Sequence, residues 1–329
     1  MRLVDDVEEE DWRDFVRRNR GGNIFQTPEM AEVYRRTVGY EPISAFAVEN
    51  GEVRGLLLAH LIWSGRGILR TLSTRCILQG GPLCTEPSFT PAILERLDGL
   101  IARRALFTEV RNLHEPGNHV SLYESAGYSY APHLNYIIDL RQGEKDVLSK
   151  MSKGRRKGIA RAEKMGLEVA EVETEGQIQD FYDIVAKTYS SVGIPLADIS
   201  LFRSAFRILT PIDRARFLLC RSEGENVACR AVLLFGKTIY DWYAGSLVEE
   251  RARKADEHLV WNILKQGISE GFETFDFGGA GPPDEDYGPR EFKRRFGGEM
   301  IEPGRFKKVY KARLLSFSKR MYRLRRRLL

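Results

Sequence analysis

Cysteine and histidine are both scarce in this 329-residue chain, with four of the first and five of the second. Cys76, Cys84, Cys220 and Cys229 form no CxxC pair and have no histidines at ligand spacing beside them. Neither a disulfide framework nor a zinc site is expected. "HEPGNH" offers His114 and His119 without a third nearby ligand, so it reads as a solvated turn, and no metal is expected. Long apolar runs are missing too: the longest, such as "LLLAHLIW", fall well short of a spanning helix. The start, "MRLVDDVEEEDW", is acidic and lacks the basic-then-apolar order of a signal peptide, which points to a cytoplasmic protein. Two nucleotide readings fail for want of companions. Asp276-Phe277-Gly278 has no glycine-rich loop, strand lysine or HRD-type loop upstream, as a kinase requires. Gly278, Gly279 and Gly281 run into Pro282-Pro283 instead of opening the long helix of a dinucleotide fingerprint.

At 43% hydrophobic and 29% charged, the composition is that of ordinary soluble domains, and the length suits two of them. The net charge of +5 hides an asymmetry. Pro303–Leu329 holds eleven Lys or Arg and no acid, which leaves 40 basic against 46 acidic side chains in residues 1–302. A second cluster, "KMSKGRRKGIARAEK" at 150–164, carries seven cations against Glu163. Basicity gathered into two patches suits a polyanion or an anionic membrane surface.

The patterning predicts one plan, used twice. In the first half a helix start at Gln26-Thr27-Pro28 precedes a hairpin closed by Asn50-Gly51, a strand around Gly67–Leu72, a helix around Pro91–Arg104 and a strand around Phe107–Arg111. In the second half, helices in "QIQDFYDIVAKTYSSVG" and "DISLFRSAFRIL" precede a hairpin turning near Gly224, the helix "DEHLVWNILKQGISEG" and the strand "FETFDFGG". Hairpin glycine and strand-end acid stand 58 residues apart in one half (Gly51 to Glu109) and 52 in the other (Gly224 to Asp276). A duplicated α/β mixed sheet accounts for this spacing. The expected division is a first domain over 1–145, a second over 146–303 and a basic amphipathic helix over 304–329.

This order resembles the GNAT acyltransferase fold in two tandem copies. "SKMSKGRRKGIARAEKMGLEV", "TYSSVGIPLADISLFRSAF", "YAGS", "LVWNILKQGISEGFETFDFGG" and "EFKRRFGG", in that order, are similar to the second domain of the Fem-type (FemA/FemB/FemX) aminoacyltransferases. "NIFQTPEMAEVY" resembles their first-domain helix, and the chain has no room for the coiled-coil arm of some members, so the compact FemX-like form is implied. The resemblance implies transfer of an amino acid from aminoacyl-tRNA to an amine on a nucleotide- or lipid-linked precursor of the cell envelope, of peptidoglycan type. Two other readings stay open: an acyl-CoA-dependent N-acyltransferase of envelope or exopolysaccharide synthesis, and a non-enzymatic RNA- or membrane-binding protein.

Ester-to-amine transfer needs a neutral nucleophilic nitrogen, stabilisation of charge on the carbonyl oxygen and a proton route to the leaving oxygen. Lys293 is the catalytic candidate: Phe292 and Phe296, four apart, bury one face of a short helix and leave Lys293 on its flank. A cation beside the ester is worth roughly 3–4 kcal/mol, and the resemblance matches Lys293 to the lysine of the family's FK-x-x-F element. A surface lysine in "KRR" is the plain alternative. Substrate contacts are expected from Phe292, Arg203 and Tyr243, with Arg35 or Arg36 from the first domain, while Trp242 alternates with Tyr243 and reads as core. Asp276 reads as a cap on the glycine loop.

At the start of the helix "DEHLVWNILKQGISEG", the stretch "ERARKADEHLVW" lacks the glycines that let a pyrophosphate reach backbone amides, and its Asp256 reads as an N-cap that places negative charge there. CoA is therefore disfavoured, no cofactor is expected, and aminoacyl-tRNA is the implied co-substrate. Arg251, Arg253 and Lys254, with Arg155 and Arg156, are the phosphate candidates, or else solvated cations. Tyr310, Leu314, Phe317, Met321, Leu324 and Leu328 step by four and three down the basic tail. That stripe can pack on the body, pair with a second copy or lie on an anionic membrane, which would make the protein membrane-peripheral.

Overall fold

Each half of the chain is built around a long β-hairpin closed by two residues of positive φ. These are Asn50 (53°) with Gly51 (81°), and Glu223 (54°) with Gly224 (87°). Such turns match the right-handed twist of the strands they join. The computed structural model describes residues 1–247 and 254–328, with side chains through 321.

The first half runs β1 (Arg2–Val4), α1 (Glu9–Arg18), α2 (Pro28–Arg35), β2 (Tyr40–Glu49), β3 (Glu52–Ile62) and α3 (Ile68–Ser73). It continues through β4 (Arg75–Gln79), β5 (Leu83–Cys84), α4 (Thr90–Ile101), β6 (Phe107–Arg111), α5 (Val120–Ser125) and β7 (Ser129–Ala131). The second half begins with β8 (Asn135–Asp139), α6 (Glu144–Lys150), α7 (Lys153–Lys164), β9 (Glu168–Glu171), α8 (Glu175–Ser191) and α9 (Ile199–Leu209). Then come β10 (Ala215–Ser222), β11 (Glu225–Phe235), β12 (Thr238–Ser246), α10 (Ala255–Ser269), β13 (Thr274–Gly279), α11 (Gly288–Arg294) and β14 (Glu299–Ile301). Last are β15 (Arg305–Val309) and α12 (Ala312–Leu328). Among the described residues, no helix is long and apolar enough to cross a membrane.

Two mixed sheets result. The first is ordered β1-β2-β3-β4-β6-β15-β7 with β5 on β3, and the second β14-β8-β13-β12-β11-β10-β9. In each, one adjacent pair is parallel, β4 with β6 and β12 with β13. The last strands are exchanged. β8 follows β7 in the chain but lies between β13 and β14, while β15 lies between β6 and β7. The compact units are accordingly Met1–His133 with Glu302–Leu329, and Leu134–Ile301. The join thus falls at 133/134 rather than near 145, and the segment after 303 opens with a strand of the first sheet before its helix.

Periodicity explains the local structure. Thr27 caps α2 by accepting from Met30 N at 3.2 Å, with Pro28 at the first helical position. In α4, Ile93, Leu94, Leu97 and Ile101 make one buried stripe against Leu57, Ala59, Leu78, Val110 and Phe306. In α10, Leu259, Val260, Ile263 and Leu264 do the same against Val232, Leu234, Phe275, Phe277 and Ile138. Each such side chain contributes about 1.5–3 kcal/mol when fully buried. The strand expected around Gly67–Leu72 is instead α3. Its Ile68 and Leu69 face solvent, and the strand that pairs with β3 starts only at Arg75.

Candidate functional site

β12 and β13 run parallel yet pair over only three residues, Thr238–Tyr240 with Thr274–Asp276. Beyond them the strands part. On one side, the β11–β12 ladder slips between Ala231 and Val232, leaving Trp242 as the extra residue of a bulge, which bends and twists its strand. On the other, the β13–β8 ladder breaks between Asp276 and Gly279, where Gly278 takes φ 68°. The strands thus part past the carboxyl ends of a neighbouring parallel pair, and such an opening in the sheet is the usual ligand position in open α/β folds. The first unit is built differently. β4 and β6 stay paired from Cys76–Thr108 through Gln79–Arg111, and the buried Gln26 amide bridges β3 and β4. Gln26 donates to Leu58 O (3.1 Å) and Gln79 O (2.7 Å) and accepts from Leu58 N (2.6 Å).

Lys293 closes over the opening in the second unit. Its Nζ donates to the carbonyls of Phe277 (2.6 Å), Gly278 (3.1 Å) and Gly279 (2.8 Å), so all three N–H groups are engaged by the end of β13. Burial pulls its pKa down to about 8, against the opposing pull of Asp241 and Asp276. Asp276 itself accepts from Asn135 Nδ2 and Gly278 N, both at 2.7 Å, and so caps the glycine turn that supplies those carbonyls.

Asp241 on β12 lies within electrostatic reach of Lys293. Arg230, 2% exposed on β11, donates Nη1 to Asp241 Oδ2 at 2.5 Å and Nη2 to Asp256 Oδ1 in the first turn of α10. The second oxygen, Asp241 Oδ1, is buried and has no hydrogen-bond partner among the described residues. Burial raises the Asp241 pKa, with Arg230 and Lys293 pulling the other way. Tyr243 borders this group, its ring 5.9 Å from Tyr189 and 4.8 Å from Phe202. The Tyr189 hydroxyl is pushed up to about 12 by burial and by Asp241. Among the described residues the cluster formally holds three carboxylates (Asp241, Asp256, Asp276) against two cations (Arg230, Lys293), a balance that favours an ammonium ligand over an anion.

Lys293, Phe292 and Tyr243 all fall in the second unit, with Lys293 and Tyr243 at the opening. Phe292 is stacked instead under Arg155, whose guanidinium lies 4.3 Å from both the Phe292 and Phe296 rings. Arg155, expected at a phosphate, is instead a packing residue. It is 5% exposed, paired with Glu257 at 2.8 Å and bonded to Phe292 O at 2.9 Å, so it has no fork to offer a nucleic acid. Arg156 is exposed and donates to Ser149 O at 2.7 Å. Arg203 turns to Gln179 (3.2 Å) and Glu175 (3.8 Å) in the first turns of α8. Gln179 precedes Tyr189 by ten residues, about 15 Å along the helix, so Arg203 is not gathered into the cluster.

Arg35 and Arg36, in the first unit, share Glu32, and Arg35 borders a groove with Asp6, Glu8 and Glu9, poor surroundings for a phosphate. Lys254, with φ 64°, is itself the residue preceding α10 and pairs with Glu257 at 3.5 Å. Asp256 is therefore not the N-cap; it lies inside the first turn, held by Arg230. Trp242 is the half-buried bulge residue rather than core. Arg251 and Arg253 lie outside the described residues. All four cysteines are free thiols, and among the described residues no group of three or more His, Cys, Asp or Glu is placed to hold a metal ion. Asp241 and Arg230 escaped the sequence reading. Their signal was a lone acid in "TIYDWY" and a lone cation in "ACRAVLLF", each inside an apolar strand.

Two mixed sheets, each with one parallel pair and helices threaded in the same order, define a tandem GNAT fold. Residues 149–294 match the family model of the acetyltransferase (GNAT) domain. The whole chain is similar to the crystal structure of FemX, at 16% identity over 96% of this chain and 99% of that one, with a TM-score of 0.71. It is also similar to L-PGS from Bacillus licheniformis (14% identity, 96% and 97% covered, TM-score 0.59). A tandem GNAT protein from the clavulanic acid biosynthesis pathway shares the fold as well (10%, 94% and 98%, TM-score 0.62). No curated protein matches the chain in sequence.

Proposed function

We propose that this protein transfers an aminoacyl group from aminoacyl-tRNA to an amine of a cell-envelope precursor, with the chemistry in the second unit. The observation that carries the reading is Lys293, held by three carbonyls where β12 and β13 part and within electrostatic reach of Asp241, whose Oδ1 has no partner among the described residues. The acceptor nitrogen attacks the ester carbonyl, the carbon–oxygen bond to the tRNA ribose breaks, and the proton lost by the amine ends on the ribose oxygen. Asp241 Oδ1 accepts a hydrogen bond from the attacking nitrogen and orients it. Lys293 stabilises the carbonyl oxygen as charge builds there, exchanging its bond to the exposed Gly279 carbonyl for one to substrate.

The donor class is supported by the start of α10. Asp256 and Glu257 occupy its first turn, each held by a buried arginine, Arg230 and Arg155. That helix end already carries negative charge, whereas a CoA pyrophosphate would need it clear. The similarity to FemX and L-PGS over nearly the full chain fits the same donor.

The test is a binding titration against aminoacylated tRNA, deacylated tRNA and acetyl-CoA at two salt concentrations. The expected result is salt-sensitive binding that prefers aminoacylated tRNA, with no saturable binding of CoA. Saturable CoA binding with indifference to aminoacylation would overturn the donor.

A further inference from the structure

The first unit exposes apolar side chains that its core does not use. On α3, Ile68 is 75% and Leu69 61% exposed, and on α12, Phe317 is 52% and Met321 51% exposed. The two helices are joined. Ser318 Oγ donates to Leu72 O at 2.8 Å, and Leu315, one turn before Ser318, is buried at 9% exposure. Phe317 and Met321, four apart, share the flank of α12 turned away from that seam.

Cations frame these side chains. Arg66, Arg70, Arg313, Lys319 and Arg320 are all exposed, and the Arg70 guanidinium lies 4.1 Å over the Trp63 ring. Acid is excluded from both segments: none occurs from Val53 to Thr85, and none from Pro303 to Leu329. Elsewhere on this unit exposed arginines stand beside carboxylates, as Arg17 and Arg18 do with Asp14. Large exposed apolar groups on segments that carry cations and no acid are what an anionic bilayer surface selects, because the apolar groups enter the acyl boundary while the cations meet headgroups. Nucleic acid would use the cations and leave four aliphatic or aromatic groups in water.

We propose that α3 and the described part of α12 form one docking surface for a membrane rich in anionic lipid. The helix after 311 does not act alone, since among the described residues the six-residue α3 supplies the two most exposed apolar side chains of the pair. This assignment is independent of the reaction proposed above.

The test is co-sedimentation of the full chain with vesicles of phosphatidylcholine alone and of phosphatidylcholine with phosphatidylglycerol, with tRNA binding and light-scattering mass measured in parallel. The expected result is binding only to the anionic vesicles. The double substitution I68S/L69S should weaken it at least tenfold while thermal unfolding, tRNA affinity and mass stay unchanged. F317S/M321S should act likewise through the other helix. Equal binding to both vesicle types, or unchanged vesicle binding by both double variants, would overturn the proposal. So would a wild-type dimer that I68S/L69S converts to monomer, which would make the patch a self-association surface, or a matching loss of tRNA affinity, which would make it an RNA surface.

Discussion

Replacing Lys293 by methionine keeps most of the stem's bulk and removes the ammonium, and two quantities should then separate. Loss of one charge-stabilising donor raises the barrier by about 3–4 kcal/mol, roughly a 10²- to 10³-fold fall in kcat. Stability should change far less. Three carbonyls lose their donor, but Gly279 is exposed and can turn to water. The buried ammonium also works against the fold, because its pKa is lowered from 10.5 to about 8. A lowered lysine pKa means that the folded chain binds this proton more weakly than the unfolded chain does. Between those two values the unfolded chain holds the extra proton, so stability rises with pH across that window, and Lys293→Met should lack this rise. The assay is single-turnover aminoacyl transfer from pH 6.5 to 9.5 with thermal unfolding at each pH. Wild-type turnover should fall above about pH 8 as the cation is lost, in line with the Lys293 value. A loss under about tenfold in the variant, set against the oxyanion-donor scale, or a wild-type rate that climbs through that range, would refute a cationic role.

Three further outcomes follow from the packing. Arg155→Ala should destabilise the second unit by about 3 kcal/mol, the low end for a broken buried pair because Glu257 keeps Lys254. Chemical denaturation should register that loss, with tRNA affinity of the folded fraction unchanged; lost affinity at full stability would restore Arg155 as an RNA contact. Gly297→Ala combines φ 78° with a Cβ only 2.3 Å from Lys150 O, so a loss of about 2 kcal/mol or more is expected in the same measurement. Burial pushes the Cys84 thiol up to about 11 and those of Cys76 and Cys220 up to about 12. A thiol reagent at pH 8 should therefore label the native protein slowly and the denatured protein at once.

Local chemistry made much of the fold legible. Asn50-Gly51 announced its hairpin, and the α4 and α10 stripes announced their buried faces. The errors share a physical cause, which is that the deciding partner is remote in sequence. Ile68 and Leu69 look like strand residues until no neighbouring strand claims them. Arg155 looks like a surface cation until Phe292, 137 residues later, accepts from it. Asp256 looks like a cap until Arg230 reaches it. Lys293 was visible because Phe292 and Phe296 flank it at helical spacing, whereas its carbonyl cage depends on the backbone of 277–279 and leaves no trace in side-chain identity.

The crossed placement of β8 and β15 bears on how such a chain can be taken apart. A fragment ending at 145 would carry β8 with no sheet to join, and it would leave β6 and β7 without the strand that lies between them. The complementary fragment from 146 to 303 would lack β8, stripping β13 and β14 of their shared neighbour. Bare strand edges of this kind invite aggregation. The two halves of the sequence are thus not modules that recombination can shuffle. The first unit needs β15 from beyond residue 301 to complete its sheet, whereas the second is finished within 134–301, so the cuts that spare both sheets fall at 133/134 and 301/302 and make the second unit an insertion within the first.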